Sequence, residues 1–239
     1  KAFDDKGIDT YALSFGKKDL LKTLKSLKSL IKEKNIEILH CHDNTASLYG
    51  YMLKKIYMLD VKVISHIHNC YPWIKAGGIN KKIDGIFRPK YDFNITCGRR
   101  VYDFYDKYAP YFNNDKTESL SNAMDIEGIT NINFNDIENV RKEFNIPKDK
   151  KILGFIGRLS EQKGILPFIN EFAKHKDRFE DCKVLLVGNG EQEDQVKELI
   201  SKLGLNDMFI LTGFQDDIYK FYPIIDVLFL PSIYEGLPM

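Results

Sequence analysis

The stretch "KILGFIGRLSEQKG" at residues 151–164 decides the fold. Residues 152–157 are all apolar or glycine, which is typical of a buried parallel strand, and Gly164 opens a segment with helical spacing. Two further strand-like segments, "KVLLVG" (183–188) and "MFILTG" (208–213), each precede another helical segment. This alternation predicts a parallel sheet with helices on both faces.

The first half of the chain shows the same alternation less cleanly. We predict, in order, helix 17–34, strand 36–40, helix 45–58, strand 61–69, a loop at 71–82 and strand 90–98. Residues 109–150 are weakly periodic and rich in Asn, Asp and Pro, which favours a domain junction. The sequence therefore predicts an α/β protein of two Rossmann-like domains, residues 1–123 and 124–239.

Composition excludes several classes of function. The chain has 239 residues and a net charge of +1, from 35 Lys and Arg against 34 Asp and Glu, so no nucleic-acid partner is expected. Its four cysteines lie far apart without a CxxC motif, which argues against a zinc cluster or a disulfide framework. No apolar run is long enough to span a membrane. We expect a cytoplasmic protein.

Two cations follow the strand at 151–157. Arg158 and Lys163 lie between Gly157, where the strand ends, and Gly164, where a helix begins. A helix start offers free N–H groups, and a guanidinium with an ammonium suits a diphosphate. The alternative is a capped helix start with two solvated cations.

Three more turns are expected at the same sheet edge, because the carboxyl ends of parallel strands lie together. The first holds Gly188, Asn189 and Gly190, and the second holds Phe214. The third, with Glu235, Gly236 and Leu237, follows the apolar run 224–230, which we predict to be a buried strand. Their convergence favours a ligand site over ordinary turns.

Four of the five histidines form the pairs His40-x-His42 and His66-x-His68. Alternate residues of a strand point to the same side, so each pair presents two imidazoles together. Such pairs can bind metal, which makes a histidine-based metal-dependent hydrolase a rival hypothesis. The other interpretation is one buried and one cleft histidine on each strand.

The ordered motifs G-R-L…K-G, L-V-G-x-G, L-x-G-F and P-S-x-x-E-G-L-P resemble the retaining glycosyltransferases of family 4. The chain is most similar to bacterial capsule and exopolysaccharide transferases. Residues 151–239 carry the resemblance strongly, and "IEILHCHD", "VISHIHN" and "SNAMD" carry it more loosely. It implies the GT-B fold, in which two Rossmann-like domains face each other across a cleft. The C-terminal domain would hold a nucleotide-sugar and the N-terminal domain an acceptor.

The resemblance also implies residue roles. Arg158 and Lys163 would bind the donor diphosphate, and His68 would approach the donor sugar. Glu235 matches the first acid of an E-x7-E motif, whose second acid would lie beyond Met239, so the chain looks truncated. Phe214 would meet the nucleobase, although a buried aromatic is an alternative. The remaining predicted substrate contacts are Gly157, Gly188, Asn189, Gly190, Gly236, Leu237 and His66. No metal or other cofactor is expected, and no Asp-x-Asp motif occurs.

The implied partners are a nucleotide-sugar donor, expected to be a UDP-sugar, and a glycan or lipid-linked acceptor. Tyr71 and Trp73 suggest a mobile aromatic loop for sugar stacking. The apolar face of helix 17–34 is expected to pack on the sheet, while its lysines could also contact an anionic membrane peripherally. A non-catalytic nucleotide-sugar binding module is the remaining alternative.

Overall fold

The computed structural model describes residues 6–13, 19–123 and 134–238. Its contacts divide the chain into two compact units, one of residues 1–122 with 236–238 and one of residues 123–235 with Met239. The junction predicted at "SNAMD" adjoins residues 124–133, which lie outside the described part, so that domain boundary stays a prediction.

The first unit is built on a four-stranded parallel sheet in the order β1-β2-β3-β4. Its strands are β1 (Ile38–His42), β2 (Lys62–Ile67), β3 (Phe93–Thr96) and β4 (Thr117–Ser119). Its helices are α1 (Leu20–Glu33), α2 (Asn44–Ile56), α3 (Pro72–Ala76), α4 (Ile79–Phe87) and α5 (Arg99–Tyr108). Each strand except β4 is followed by a helix, as parallel pairing requires.

Two local predictions for this unit are wrong. The predicted loop at 71–82 is instead two short helices: Pro72 occupies the first turn of α3, and Gly77 and Gly78 separate α3 from α4 at φ 91° and 96°. A proline pre-set for a helix start and glycines with positive φ resemble loop chemistry in sequence. Strand β1 also begins two residues later than predicted, so His40 and His42 both lie within it.

Helix α1 packs through part of its predicted apolar face. Leu24 and Ile31 are buried among Tyr49, Leu53 and Val61, whereas Leu21 is 69% exposed, contrary to its predicted packing. The predicted start at residue 17 lies outside the described residues. Within the described ranges, no helix is long and apolar enough to cross a membrane.

The second unit is a four-stranded parallel sheet in the order β7-β6-β5-β8. Its strands are β5 (Lys151–Ile156), β6 (Cys182–Val187), β7 (Phe209–Gly213) and β8 (Val227–Leu228). Its helices are α6 (Phe134–Glu143), α7 (Ile165–Lys174), α8 (Glu193–Lys202) and a 3-10 helix (Tyr219–Ile224). Helix α6 lies in the segment that the sequence left unassigned.

Strand β6 is buried on both faces. Val184 and Leu186 join the core formed with α7 and α8, while Leu185 and Val187 join Phe221 in a separate core. Alternate residues of a strand point to opposite faces, so the two cores lie on opposite sides of the sheet. The predicted parallel sheet with helices on both faces is confirmed.

Strand β8 is not the buried strand that the apolar run predicted. It has two residues, lies at the sheet edge, and exposes 54% of Val227 and 46% of Leu228. Asp226 anchors it to β5: its carboxylate accepts the Ile152 N–H at 2.8 Å and pairs with Lys151 at 2.9 Å. An edge strand covers only one neighbour, so its side chains stay in contact with solvent.

Candidate functional site

The strand order of the second unit creates a switch point between β5 and β8. The chain proceeds from β5 to β6 and β7 on one side and adds β8 on the other. Ligands of open parallel sheets bind outside the carboxyl ends of the strands at this point. The two segments that leave it are 157–164 after β5 and 229–235 after β8.

These two segments are bonded to each other. The Ile233 N–H donates to the Gln162 carbonyl at 2.8 Å, and the Gln162 side-chain amide donates to the Tyr234 carbonyl at 3.1 Å. Gly164 has φ 67°, and a Cβ atom there would lie 2.3 Å from the Pro231 carbonyl oxygen. Only glycine therefore permits this approach.

The pairing of the segments brings Lys163 onto Glu235, although the two lie 72 positions apart. The Lys163 ammonium is 2.6 Å from the Glu235 carboxylate, and the side chains are only 24% and 15% exposed. Two predicted site residues thus form a sheltered ion pair at the switch point.

Arg158 lies on the same loop but faces solvent. Its guanidinium pairs with Glu191 at 2.9 Å, and the two side chains are 72% and 54% exposed. An exposed pair of this kind contributes little to stability, which leaves the guanidinium available to a ligand. Glu191 was not predicted; its signal was an acid directly after the glycine turn 188–190.

The predicted glycines lie where main-chain segments approach closely. A Cβ atom on Gly188 would lie 2.1 Å from the Gly157 carbonyl oxygen, and one on Gly190 would lie 2.3 Å from that of Leu159. The Leu159 N–H donates to the Asn189 carbonyl at 2.9 Å. Close main-chain packing is therefore sufficient to explain Gly188 and Gly190. Their predicted contacts with substrate stay predictions.

Phe214 follows Gly213 at the end of β7 and is 65% exposed. The alternative of a buried aromatic is therefore wrong. Leu237 is also exposed, whereas Gly236 is buried.

Helix α7 begins directly after Gly164. Within the described ranges no side chain caps its first turn, and Pro167 has no N–H. The N–H groups of Ile165 and Leu166 are the first-turn donors that a helix start leaves without an intrahelical acceptor.

The first unit brings all four paired histidines together, and we name His40, His42, His66 and His68 the histidine cluster. The parallel register sets His42 beside His66. His40 Nε2 lies 3.1 Å from His66 Nδ1, and His42 Nδ1 lies 2.8 Å from His68 Nε2. His66 on β2 is buried and His68, one residue beyond the end of β2, is half-buried, but on β1 both histidines are exposed. One buried histidine on each strand was therefore a wrong expectation for β1.

Burial disfavours charge in the histidine cluster. Burial and the three neighbouring imidazoles lower the pKa of His66 to about 4. Burial and then His42 lower the pKa of His68, although Asp43 acts in the opposite direction. The pKa of His40 is lowered by burial and by His42. These three rings are neutral at pH 7.

A cavity of about 320 Å³ opens beside the histidine cluster. Tyr71 and Trp73 stack on one side with ring centroids 5.4 Å apart, and the Tyr71 hydroxyl donates to Asp43 at 2.9 Å. Asp43, next to His42, has φ 85°, a strained conformation outside glycine. The other lining residues are Asn44, Thr45, Leu48, Asn80, Ile83, Asp84, Phe87 and Tyr91.

A buried ion pair forms part of the cavity wall. Arg88 binds Asp84 through two contacts of 2.5 and 2.9 Å, and the side chains are 1% and 5% exposed. Asn44, Asn94 and Ser65 accept the remaining guanidinium hydrogens at 2.8, 3.2 and 3.5 Å. We predicted no role for Arg88 from the sequence, because its only signal was a spacing of four residues from Asp84, with which it forms an ion pair.

Comparison with known proteins relates part of the chain to a family. Residues 136–239 match the glycosyl transferases group 1 family. The chain is similar to an uncharacterized glycosyltransferase of Methanocaldococcus jannaschii, with 26% identity over 234 residues. It is also similar to the UDP-Gal:alpha-D-GlcNAc-diphosphoundecaprenol alpha-1,3-galactosyltransferase of Escherichia coli, with 24% identity over 230 residues.

Coverage of these relatives is partial. Both alignments take in 92% of this chain but only 56% and 58% of the two relatives. Among solved structures, Anabaena HepE in complex with UDP-glucose superposes with a TM-score of 0.76 at 18% identity, covering 95% of this chain and 61% of HepE. Residues 136–239 match the glycosyl transferases group 1 family, and the chain shares the GT-B fold of HepE.

Proposed function

We propose that the protein is a retaining family 4 glycosyltransferase that moves a sugar from a UDP-sugar to a lipid-linked or glycan acceptor in surface polysaccharide synthesis. The observation that carries this proposal is the Lys163–Glu235 pair at the β5/β8 switch point, inside the matched domain. Binding of UDP-glucose by HepE supports the donor, and the diphosphoundecaprenol in the E. coli relative's name supports the lipid-linked acceptor.

On the donor side, Lys163 and Arg158 would bind the diphosphate. Breaking the glycosidic bond increases the negative charge on this leaving group, and cations already in place stabilise that charge. In the free protein Glu235 holds Lys163 at 2.6 Å. The donor phosphate would replace Glu235 as the partner of the Lys163 ammonium. The Glu235 carboxylate would then lie beside the transferred sugar. Phe214, exposed after β7, offers an apolar surface to the nucleobase.

On the acceptor side, we assign the sugar of the acceptor to the cavity beside the histidine cluster. Its Tyr71–Trp73 pair presents aromatic faces, and Asp43 and Asn80 supply polar groups for hydroxyls. A half-buried, neutral His68 can donate or accept a hydrogen bond without placing a charge on an uncharged sugar. The leaving diphosphate oxygen would take the acceptor proton on the same face, without a metal cofactor.

The exposed lysines of α1, Lys22, Lys25 and Lys32, would favour peripheral contact with an anionic membrane carrying such an acceptor. This contact and the cytoplasmic location belong to the proposal. The family match favours the transferase over the histidine-based hydrolase. A non-catalytic binding module differs from the transferase only in lacking turnover.

The test combines calorimetry with UDP and UDP-glucose and an assay of UDP release with N-acetylglucosamine-diphosphoundecaprenol. Lys163→Ala is expected to lower turnover about 10²–10³-fold, as loss of one transition-state donor does. Lys174→Ala is the matched control, because Lys174 is exposed on α7 and pairs only with Glu171 among the described residues. Wild-type turnover in Lys163→Ala would contradict the proposal.

The same assay also tests the assignment of the acceptor sugar to the cavity. Trp73→Ala is expected to raise the acceptor KM about 3–10-fold, equivalent to an aromatic contact of ~0.5–1.5 kcal/mol. Its affinity for UDP should not change. UDP binding by the unmodified protein without any turnover would instead support the non-catalytic module.

A further inference from the structure

The histidine cluster has the composition of a transition-metal site. One ligand nitrogen each from His40, His42 and His66 lies within 4.8 Å of the others. His68 Nε2 is 2.8 Å from His42 Nδ1, within reach of the same centre. Zinc is usually bound in a tetrahedron by neutral imidazoles, and three histidines with one open position are a recurrent set.

The distances require only small side-chain movements. A zinc–nitrogen bond of about 2.0–2.1 Å gives neighbouring ligand nitrogens a separation of about 3.3–3.4 Å. The His40–His66 contact of 3.1 Å and the His42–His68 contact of 2.8 Å are slightly shorter. The three ligand nitrogens lie within 4.8 Å of one another, so no separation needs to shorten by more than about 1.4 Å, which rotation of the exposed His40 and His42 rings can supply.

A second observation points to a missing ligand. His66 Nε2 is fully buried and has no hydrogen-bond partner among the described residues. A buried polar atom without a partner costs about 1–3 kcal/mol. An imidazole nitrogen binds a single cation, so a cation bound at His66 Nε2 would supply the missing partner while Nδ1 keeps its contact with His40.

The backbone already holds the cluster in place. His42 and His66 are register partners on adjacent parallel strands, so their Cα atoms are fixed by main-chain hydrogen bonds. Asp43 follows His42 and is held by the Asn44 N–H and the Tyr71 hydroxyl. A carboxylate beside the ligands adds favourable charge for a cation.

We propose that the histidine cluster binds one Zn²⁺ or a similar first-row divalent cation through His40, His42 and His66, with His68 or a water completing the site. The binding does not depend on the proposed sugar transfer. Occupancy would engage His42 and remove its contact with His68, so the metal-bound protein would be an inhibited form of the proposed transferase.

The test uses untagged protein stripped with chelator and titrated with Zn²⁺ by calorimetry and with Co²⁺ by visible absorption. We expect one cation per chain and the absorption bands of tetrahedral Co²⁺. His40→Ala and His42→Ala should each weaken Zn²⁺ binding by at least about 100-fold, the upper end of what loss of an outer-sphere partner costs. Both side chains are exposed, so these variants should fold, which thermal melting checks.

His175→Ala is the matched control, since His175 is the fifth histidine and lies in the second unit beside Glu171. It should bind Zn²⁺ as the unmodified protein does. No binding, unchanged affinity in both cluster variants, or loss of binding in His175→Ala would each overturn the proposal. UDP affinity measured on the same samples reports the donor site independently.

Discussion

The two units end their sheets with opposite chemistry on similar scaffolds. In the first unit, imidazoles lie around the ends of β1 and β2 next to an aromatic cavity, and the pKa values of three of them are lowered, which favours the neutral form. In the second unit, β5 and β8 end in charges, with Lys163 against Glu235 and Arg158 against Glu191. Neutral rings suit an uncharged sugar, and charged groups suit a diphosphate.

The two sheets share one hydrogen-bonding pattern, formed by an aspartate that immediately precedes a strand. Asp92 immediately precedes β3, and Asp226 immediately precedes β8. Each backbone N–H donates at 3.0 Å to a residue of the neighbouring strand, Val63 or Ile152. Each carboxylate accepts the N–H of that same residue at 2.8 Å and pairs with a lysine, Lys54 or Lys151. The units thus fix strand register alike, and their functional differences lie in the side chains beyond the strand ends.

The largest expected effect is a loss of stability that is confined to the first unit. Arg88→Ala removes one partner of a fully buried ion pair and leaves Asp84 uncompensated, which should lower the free energy of unfolding by about 3–5 kcal/mol. Hydrogen exchange should show lost protection in β2 and β3, while β5 and β6 keep theirs.

Arg99→Ala provides the control. Arg99 and Asp103 have the same spacing as Arg88 and Asp84, but their side chains are 76% and 59% exposed. Loss of this pair should change stability by no more than about 0.5 kcal/mol. Equal effects of the two substitutions would show that burial of Arg88 does not matter.

An intermediate effect tests the shared aspartates. Asp92→Ala should cost about 1–3 kcal/mol, because it removes the acceptor of a strand N–H. Asp226→Ala should cost less, since the Lys151–Asp226 pair is more exposed than the Lys54–Asp92 pair. Urea unfolding followed by hydrogen exchange in each unit measures the difference, and the exposed Asp181→Ala is the control.

The same aspartates give a pH dependence with a definite sign. Burial raises the pKa of Asp92, but Lys54 and the Val63 N–H outweigh it, so the net pKa is lowered. The Ile152 N–H, then Lys151, lowers the pKa of Asp226. Their contribution is present above the unfolded pKa of about 3.9 and is lost as pH falls through the lower folded value. The stabilities of the variants and of the unmodified protein should therefore begin to converge as pH falls below about 4, and they should meet below the folded pKa.

The smallest expected effect distinguishes the roles of Lys163 and Glu235 in the second unit. Glu235→Gln frees Lys163 from its partner, so UDP should bind about fivefold more tightly, corresponding to about 1 kcal/mol. Turnover should nevertheless fall, because the substitution removes the carboxylate that we propose to lie beside the sugar. Calorimetry with UDP and the UDP-release assay measure the two quantities. Weaker UDP binding by Glu235→Gln would show that the carboxylate does not compete with the diphosphate.

Sequence reasoning succeeded where the signal was local. Strands β5, β6 and β7 and helices α7 and α8 followed from periodicity and glycine turns, because each is determined by its own residues. The exposure of β8 at the sheet edge did not follow from its sequence, because an edge strand and a central strand can have equally apolar sequences. Helices α3 and α4 were missed because Pro72, Gly77 and Gly78 are loop-forming residues that here begin and separate short helices.

The contact between Lys163 and Glu235 could not be predicted from the sequence, although both residues were candidates. Lys163 and Glu235 were predicted from the motifs they belong to, whereas their contact depends on the order of β5 and β8 in the sheet. Arg88 illustrates the opposite case. A charged residue is expected at the surface, and the burial of Arg88 depends on partners that the fold brings together from four separate segments, namely Asp84, Asn94, Asn44 and Ser65.

The close approaches at Gly164, Gly188 and Gly190 have a consequence for how this family changes over evolutionary time. At each position a side chain would collide with a main-chain oxygen 2.1–2.3 Å away, so mutation there is opposed by folding itself. Selection for a stable domain would retain these glycines after loss of catalysis. Under the proposed function, a relative that keeps the glycines but lacks Lys163 or Glu235 would therefore be expected to fold without catalysing transfer.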